Sequence, residues 1–130
     1  MTKLRLLLVD DEPDIVLVMK NRINSWGFDV IEAKDAKTAI DSIISKNLDV
    51  VVLDYSLPDM DGLSVLREIR KIDKKMPVVL FTAYLDEELK KKAQKLGANA
   101  LISKMSASED VQNTLKSTLD IIKKNLESIR

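Results

Sequence analysis

The 130-residue chain contains no cysteine and no histidine. Without thiols it has no disulfide framework, no thiolate zinc site and no cysteine nucleophile, which fits a reducing compartment. Without imidazoles, any metal site must be built from oxygen ligands. Aromatic residues make up only 4%, and the one dense basic cluster (Lys90, Lys91, Lys92 and Lys95) is local, so direct nucleic-acid binding is not expected. That cluster reads first as a solvated helix face and second as a docking surface for an acidic partner. Global charge has no preferred sign, with 21 Lys+Arg against 21 Asp+Glu. No apolar run approaches the length of a membrane span. The leucine-rich start runs into Asp10 and Asp11 with no small-residue cleavage pattern, so it does not read as a signal peptide. The expected location is cytoplasmic, with no membrane partner.

What is present suits one globular domain, with 45% hydrophobic and 32% charged residues. Short β-branched runs predict strands at Leu4–Val9, Phe28–Ile31, Val50–Leu53, Val78–Phe81 and Ala100–Ile102. Three are nearly continuous in Val, Ile or Leu, as strands buried on both faces require. Between them the period becomes helical. Ile15, Met19, Ile23 and Trp26 form one stripe; Ala36, Ile40, Ile43 and Ile44 a second; Leu63, Leu66 and Ile69 a third; Leu85, Leu89, Ala93 and Leu96 a fourth. Pro13 suits a first helical turn, Asp35 a helix N-cap, and Gly27 and Gly97 left-handed C-caps. Five βα units imply an α/β fold, a doubly wound parallel sheet of flavodoxin-like order 2-1-3-4-5.

In that order the polar residues ending the strands converge on one rim: Asp10 and Asp11 after strand 1, Asp54 after strand 3, Thr82 after strand 4 and Lys104 after strand 5. Each has an ordinary reading alone. Asp11 could cap the helix that begins at Pro13, and Lys104 could be a solvated loop lysine. Together they form a constellation. Two unit charges about 4 Å apart repel by roughly 4 kcal/mol at an effective dielectric near 20. Three carboxylates therefore need a proton or a cation. An open, all-oxygen site suits Mg²⁺. A cation, an ammonium and a hydroxyl around one carboxylate would cradle a phosphoryl group, with Asp54 as the nucleophile.

The motifs "LVDDEP", "VVLDYSLPDMDGL", "VLFTA" and "LISK", in this order and spacing, resemble the receiver domain of response regulators in two-component signalling. The resemblance spans essentially the whole chain. It implies that Asp54 takes a phosphoryl group from a phosphohistidine on a partner histidine kinase or histidine phosphotransfer protein. It also implies that Asp10, Asp11, Asp54 and the Ser56 carbonyl hold Mg²⁺, Asp10 through water. Lys104 would pair with the phosphoryl oxygens and Thr82 would bond one of them. Lacking histidine, the chain cannot be its own phosphohistidine donor. The implied product is a binding switch that only assists its own phosphorylation and dephosphorylation, acting on a downstream protein as a monomer or a phosphorylation-dependent homodimer.

Two positions depart from the family pattern. Met105 follows Lys104 where proline is usual, leaving the isomer of that peptide open. Leu101 stands where an aromatic often turns inward, with Tyr84 as a candidate substitute. "LPDMDGLSVLRE" resembles a calcium loop but lacks its first ligand and its preceding helix, so Asp59 and Asp61 read as turn residues and Asp61 as a cap. Leu115, Leu119, Ile122, Leu126 and Ile129, with Ile121 beside them, give the last helix (about 108–129) a heptad-like stripe. That stripe fits core packing, pairing with another protomer or a linker beyond a single receiver domain at 1–130. The alternatives are an aspartyl-nucleophile phosphatase, which wants an acid where Ser56 stands, and a phosphate-independent pseudo-receiver.

Overall fold

A computed structural model describes residues 3–83, 85–104 and 108–129, with the backbone alone at 108–110 and 129. The elements alternate as β1 Leu4–Val9, α1 Pro13–Ser25, β2 Phe28–Ala33, α2 Ala36–Ser45, β3 Val50–Asp54, α3 Gly62–Ile72, β4 Val78–Thr82, α4 Glu87–Lys95, β5 Ala100–Ser103 and α5 Ser108–Ile129. The five strands are all parallel and lie in the order β2-β1-β3-β4-β5, as expected. Four strands run one or two residues past their expected ends, because pairing continues into the polar residues of the rim.

The central strands are buried on both faces, and their side chains divide by the period of two. Leu7, Val9, Val51, Leu53, Val78 and Leu80 face the layer made by α2, α3 and α4. Leu6, Leu8, Val50, Val52, Val79 and Phe81 face α1 and α5. Leu63, Leu66 and Ile69 are buried as the third stripe requires. Ile44 and Leu85 are not, at 66% and 50% exposed. The buried face of α2 runs through Ala36, Ala39, Ser42 and Ile43 and leaves Ile44 toward solvent, and Leu85 precedes α4 rather than lying on it. On α5, Leu115, Leu119 and Ile122 complete the core and Leu126 packs at its margin, while Ile121 is exposed.

Local chemistry sets the ends. Pro13 opens α1, Asp35 accepts from the Thr38 amide at 2.7 Å, and Asp61 accepts from the Ser64 amide at 2.8 Å. Gly27 and Gly97 have φ of 97° and 76°, the left-handed region expected after α1 and α4. Arg70 provides a clasp that the sequence does not advertise. Its guanidinium donates to the Leu96 and Gly97 carbonyls at 2.7 and 2.9 Å and to those of Asp73 and Met76 at 3.1 and 2.9 Å, locking the ends of α3 and α4 together. Lys92 pairs with Glu88 at 3.1 Å and the other lysines of α4 are exposed, which fits a solvated face.

Gly62 brings the start of α3 against the loop that leaves β3. Its amide donates to the Tyr55 carbonyl at 2.6 Å, and an added Cβ would lie 2.7 Å from the Tyr55 Cα and 2.8 Å from Leu80 Cδ1. At an open helical site Gly→Ala gains up to about 1 kcal/mol. Gly62→Ala is expected instead to lose about 1–3 kcal/mol through overpacking. Urea unfolding with an unchanged slope measures the difference, and a neutral or stabilising result would show that the contact yields.

Candidate functional site

The register of the sheet builds the site. Val9 pairs with Leu53 and Asp54 with Phe81, so Asp10 follows β1 beside Asp54, and Thr82 is one step beyond Asp54's partner. Thr82 pairs with Ser103, which sets Lys104 as the next residue on the rim. Backbone bonds fix the strand ends: the Asp10 amide donates to Ala33 at 3.1 Å, Tyr55 to Phe81 at 2.7 Å and Lys104 to Thr82 at 2.7 Å. Asp10, Asp54 and Thr82 are 3%, 5% and 3% exposed. Polar side chains this buried at the mouth of an apolar sheet need partners.

Lys104 is the partner of both carboxylates. Its Nζ lies 2.9 Å from Asp10 Oδ2 and 3.1 Å from Asp54 Oδ2. The remaining oxygens are held by backbone amides, Asp10 Oδ1 by Glu12 at 3.0 Å and Asp54 Oδ1 by Ser56 at 3.3 Å. Burial pushes the Asp54 carboxyl above its ordinary range and the charge of Asp10 adds to this, against the pull of Lys104. Burial alone would lower the Lys104 pKa. Its hydrogen bonds to the two aspartates and their charges outweigh this and raise it, so the ammonium stays charged. One cation thus faces two buried carboxylates.

Asp11 and Glu12 are exposed at the same mouth. One carboxylate oxygen from each of Asp10, Asp11, Glu12 and Asp54 lies within 4.8 Å of all the others. Glu12 is a member that sequence reasoning passed over, although it directly follows the paired aspartates. The expectation that Asp11 caps α1 is corrected: Glu12 holds the N-cap position, and its side chain makes no cap hydrogen bond. With Pro13 at N1 there is one fewer amide to satisfy. Ser56 lies in the loop after Asp54, bridged to Asp61. Leu101 is half-buried against the layer of α2, α3 and α4. Tyr84 and the Lys104–Met105 peptide lie outside the described residues.

Asp59 lies in a bend of the loop, as expected of a turn residue, and has a further part. Its carboxylate reaches α2 and accepts from the Ala36 and Lys37 amides at 2.9 and 3.1 Å. Asp61 does cap α3. Both aspartates of the calcium-like motif are therefore engaged with helix N-termini.

Chemically, the mouth offers clustered carboxylate oxygens, a fixed ammonium and a threonine at the end of the neighbouring strand. Such a set can hold a hard cation and compensate the charge of a phosphoryl group. The comparisons with known proteins agree. The model of the response regulator receiver domain matches residues 6–116. Sporulation initiation phosphotransferase F of Bacillus subtilis is 26% identical over 90% of this chain and 94% of its own length. The chain spans about half the length of other curated relatives. The receiver domain of the Francisella response regulator 1452 superposes with a TM-score of 0.84 at 29% identity, covering 94% of this chain and 98% of that one. TrrA of Thermotoga maritima, a response regulator solved with Mg²⁺–BeF, gives 0.75 at 30% identity over 88% of this chain and 98% of its own. Among the described residues no helix is long and apolar enough to cross a membrane. Neither the phosphatase nor the pseudo-receiver reading is favoured by these likenesses. Matched along most of its length and folded in the same strand order, the chain belongs to the response regulator receiver domain family, the phosphorylation-controlled switches of two-component signalling.

Proposed function

We propose that Asp54 is the phosphoryl acceptor, and that Asp10, Asp11, Asp54 and the Ser56 carbonyl hold the Mg²⁺ that the reaction needs. The observation that carries this reading is the shared ammonium: Lys104 spans Asp10 and Asp54 at 2.9 and 3.1 Å and leaves the cluster with excess negative charge. The donor set fits Mg²⁺, being all oxygen and open to water on its Asp11 side. When bound, the ion neutralises phosphoryl oxygens.

The chain's own residues supply the rest. An Asp54 oxygen attacks the phosphorus of a phosphohistidine on a partner kinase or phosphotransfer protein. The O–P bond forms as the P–N bond breaks, and the bonding pair leaves with the imidazole, which takes up a proton. Lys104 compensates the developing charge and Thr82 donates a hydroxyl hydrogen bond to the transferred group. The product is an acyl phosphate that biases the face of α4, β5 and α5 toward a different binding state. On this reading residues 1–130 act as one receiver domain in the cytoplasm, assisting only their own phosphorylation and dephosphorylation. The downstream protein would bind the monomer or a phosphorylation-dependent homodimer.

Incubation with Mg²⁺ and a small phosphodonor should add a single phosphoryl group, read by intact mass. Asp54→Asn should abolish the adduct. An unmodified wild type, or an adduct that survives in Asp54→Asn, rules the assignment out.

A second expectation concerns stability. Lys104→Met removes the partner of two buried carboxylates, a change that costs about 3–5 kcal/mol when one side of a buried pair is lost. In Mg²⁺-free buffer the variant should unfold at lower denaturant than wild type. Added Mg²⁺ should stabilise it more than it stabilises wild type, because the cation then faces an uncompensated cluster. Equal stability of the two proteins without Mg²⁺ would show that the ion pairs are not what holds the mouth together.

A further inference from the structure

We propose that Asp59 is a positioning residue for phosphoryl transfer, a tether that fixes the loop after β3 to the first turn of α2. The inference rests on the proposed role of Asp54 and Ser56. The loop from Tyr55 to Asp61 is closed at its base by the Ser56–Asp61 bridge and by the Gly62 amide on the Tyr55 carbonyl at 2.6 Å. Asp61 is committed to α3 through the Ser64 amide and hydroxyl, at 2.8 and 3.1 Å. Its outer part is held from outside. Asp59 Oδ1 accepts from the Ala36 amide at 2.9 Å, and Oδ2 from the Lys37 amide at 3.1 Å.

The first four amides of α2, three of them without a partner inside the helix, are thereby all bonded. Asp59 takes two, the Asp35 side chain takes Thr38 at 2.7 Å, and the Asp35 carbonyl takes Ala39 at 3.1 Å. Asp35 caps its own helix, whereas Asp59 arrives from a loop 22 and 23 residues away. A local cap already serves α2, so the second carboxylate does more for the loop than for the helix. The helix N-terminus favours its negative charge, and two bonds from one carboxylate fix direction as well as distance. The loop so held carries Ser56, whose amide bonds Asp54 Oδ1 at 3.3 Å and whose carbonyl is the proposed metal ligand.

The test compares wild type with Asp59→Ala, Asp59→Asn and Asp35→Ala, using calorimetric titration with Mg²⁺ alone and phosphoryl uptake from acetyl phosphate. Asp59→Ala should weaken Mg²⁺ binding by about ten-fold, the lower end of what outer partners of a metal site are worth. Its uptake should be slow at low Mg²⁺ and recover at saturating Mg²⁺, and Asp59→Asn, which keeps one acceptor oxygen, should fall between. Amide exchange at Ala36 and Lys37 should quicken in Asp59→Ala. Asp35→Ala should lower thermal stability while keeping wild-type Mg²⁺ affinity. Wild-type affinity in Asp59→Ala, unchanged exchange at the two amides, or an equal loss in Asp35→Ala overturns the tether. A wild type that neither binds Mg²⁺ nor takes up phosphoryl overturns the proposed function itself, and the inference with it.

Discussion

Two buried carboxylates share one ammonium, and the arrangement of the site depends on that imbalance. Lys104 lies within 3.1 Å of both Asp10 and Asp54, and both acids are almost wholly removed from solvent. At an effective dielectric near 20, like charges about 4 Å apart oppose each other by roughly 4 kcal/mol. One ammonium compensates one carboxylate. Burial pushes the Asp54 carboxyl upward first, and the charge of Asp10 adds to that push against the pull of Lys104. A group under such pressure is relieved by a proton or by a cation, and the two exposed acids beside it, Asp11 and Glu12, each place a carboxylate oxygen within 4.8 Å of the others on the side open to water. The site thus favours a positive ion before any substrate arrives.

The sheet is what makes the imbalance tolerable. Three carboxylates on flexible loops would separate, but here the strands that carry Asp10 and Asp54 are adjacent and sealed by apolar layers on both faces. Moving the acids apart would mean breaking the β1–β3 pairing, in which Val9 sits against Leu53. The apolar residues thereby hold the repulsion in place. Lys104 is delivered with equal economy, one residue after a strand whose last pair is Thr82 with Ser103.

Most of this was legible from sequence because it follows short-range rules. A continuous Val, Ile or Leu run ending in an acid marks a strand end, and the strand order then converts a list of such ends into a neighbourhood. Residues whose partners lie far along the chain were not legible. Asp59 sits in a motif that looks like a turn or a calcium loop, and nothing local says that its acceptors meet amides of α2. Arg70 reads as one more charge near a helix end, yet it closes the carboxyl ends of two helices. Ile44 and Leu85 failed in the opposite direction. Periodicity alone counts an apolar residue as core, whereas the inward face of α2 runs through Ala36, Ala39, Ser42 and Ile43 without Ile44, and α4 begins after Leu85.

The two sides of the site are also held in different ways, and this bears on how a phosphoryl group could act as a signal. On the β1–β3 side the backbone is over-determined: Asp10 and Asp54 each accept from an amide two residues on, the following loop is closed at Gly62, and Asp59 ties it to α2. On the β4–β5 side Lys104 reaches both acids through its ion pairs. A phosphoryl group on Asp54 would compete for that same ammonium, because its oxygens carry more charge than the carboxylate they replace. On the proposed function, change would be concentrated where Lys104 joins β5 and Thr82 ends β4, while the proposed metal side would keep its geometry. Leu101 on β5 packs toward the layer containing α4, so on the proposed function a shift at the end of β5 would reach that helix through apolar packing without an aromatic at this position.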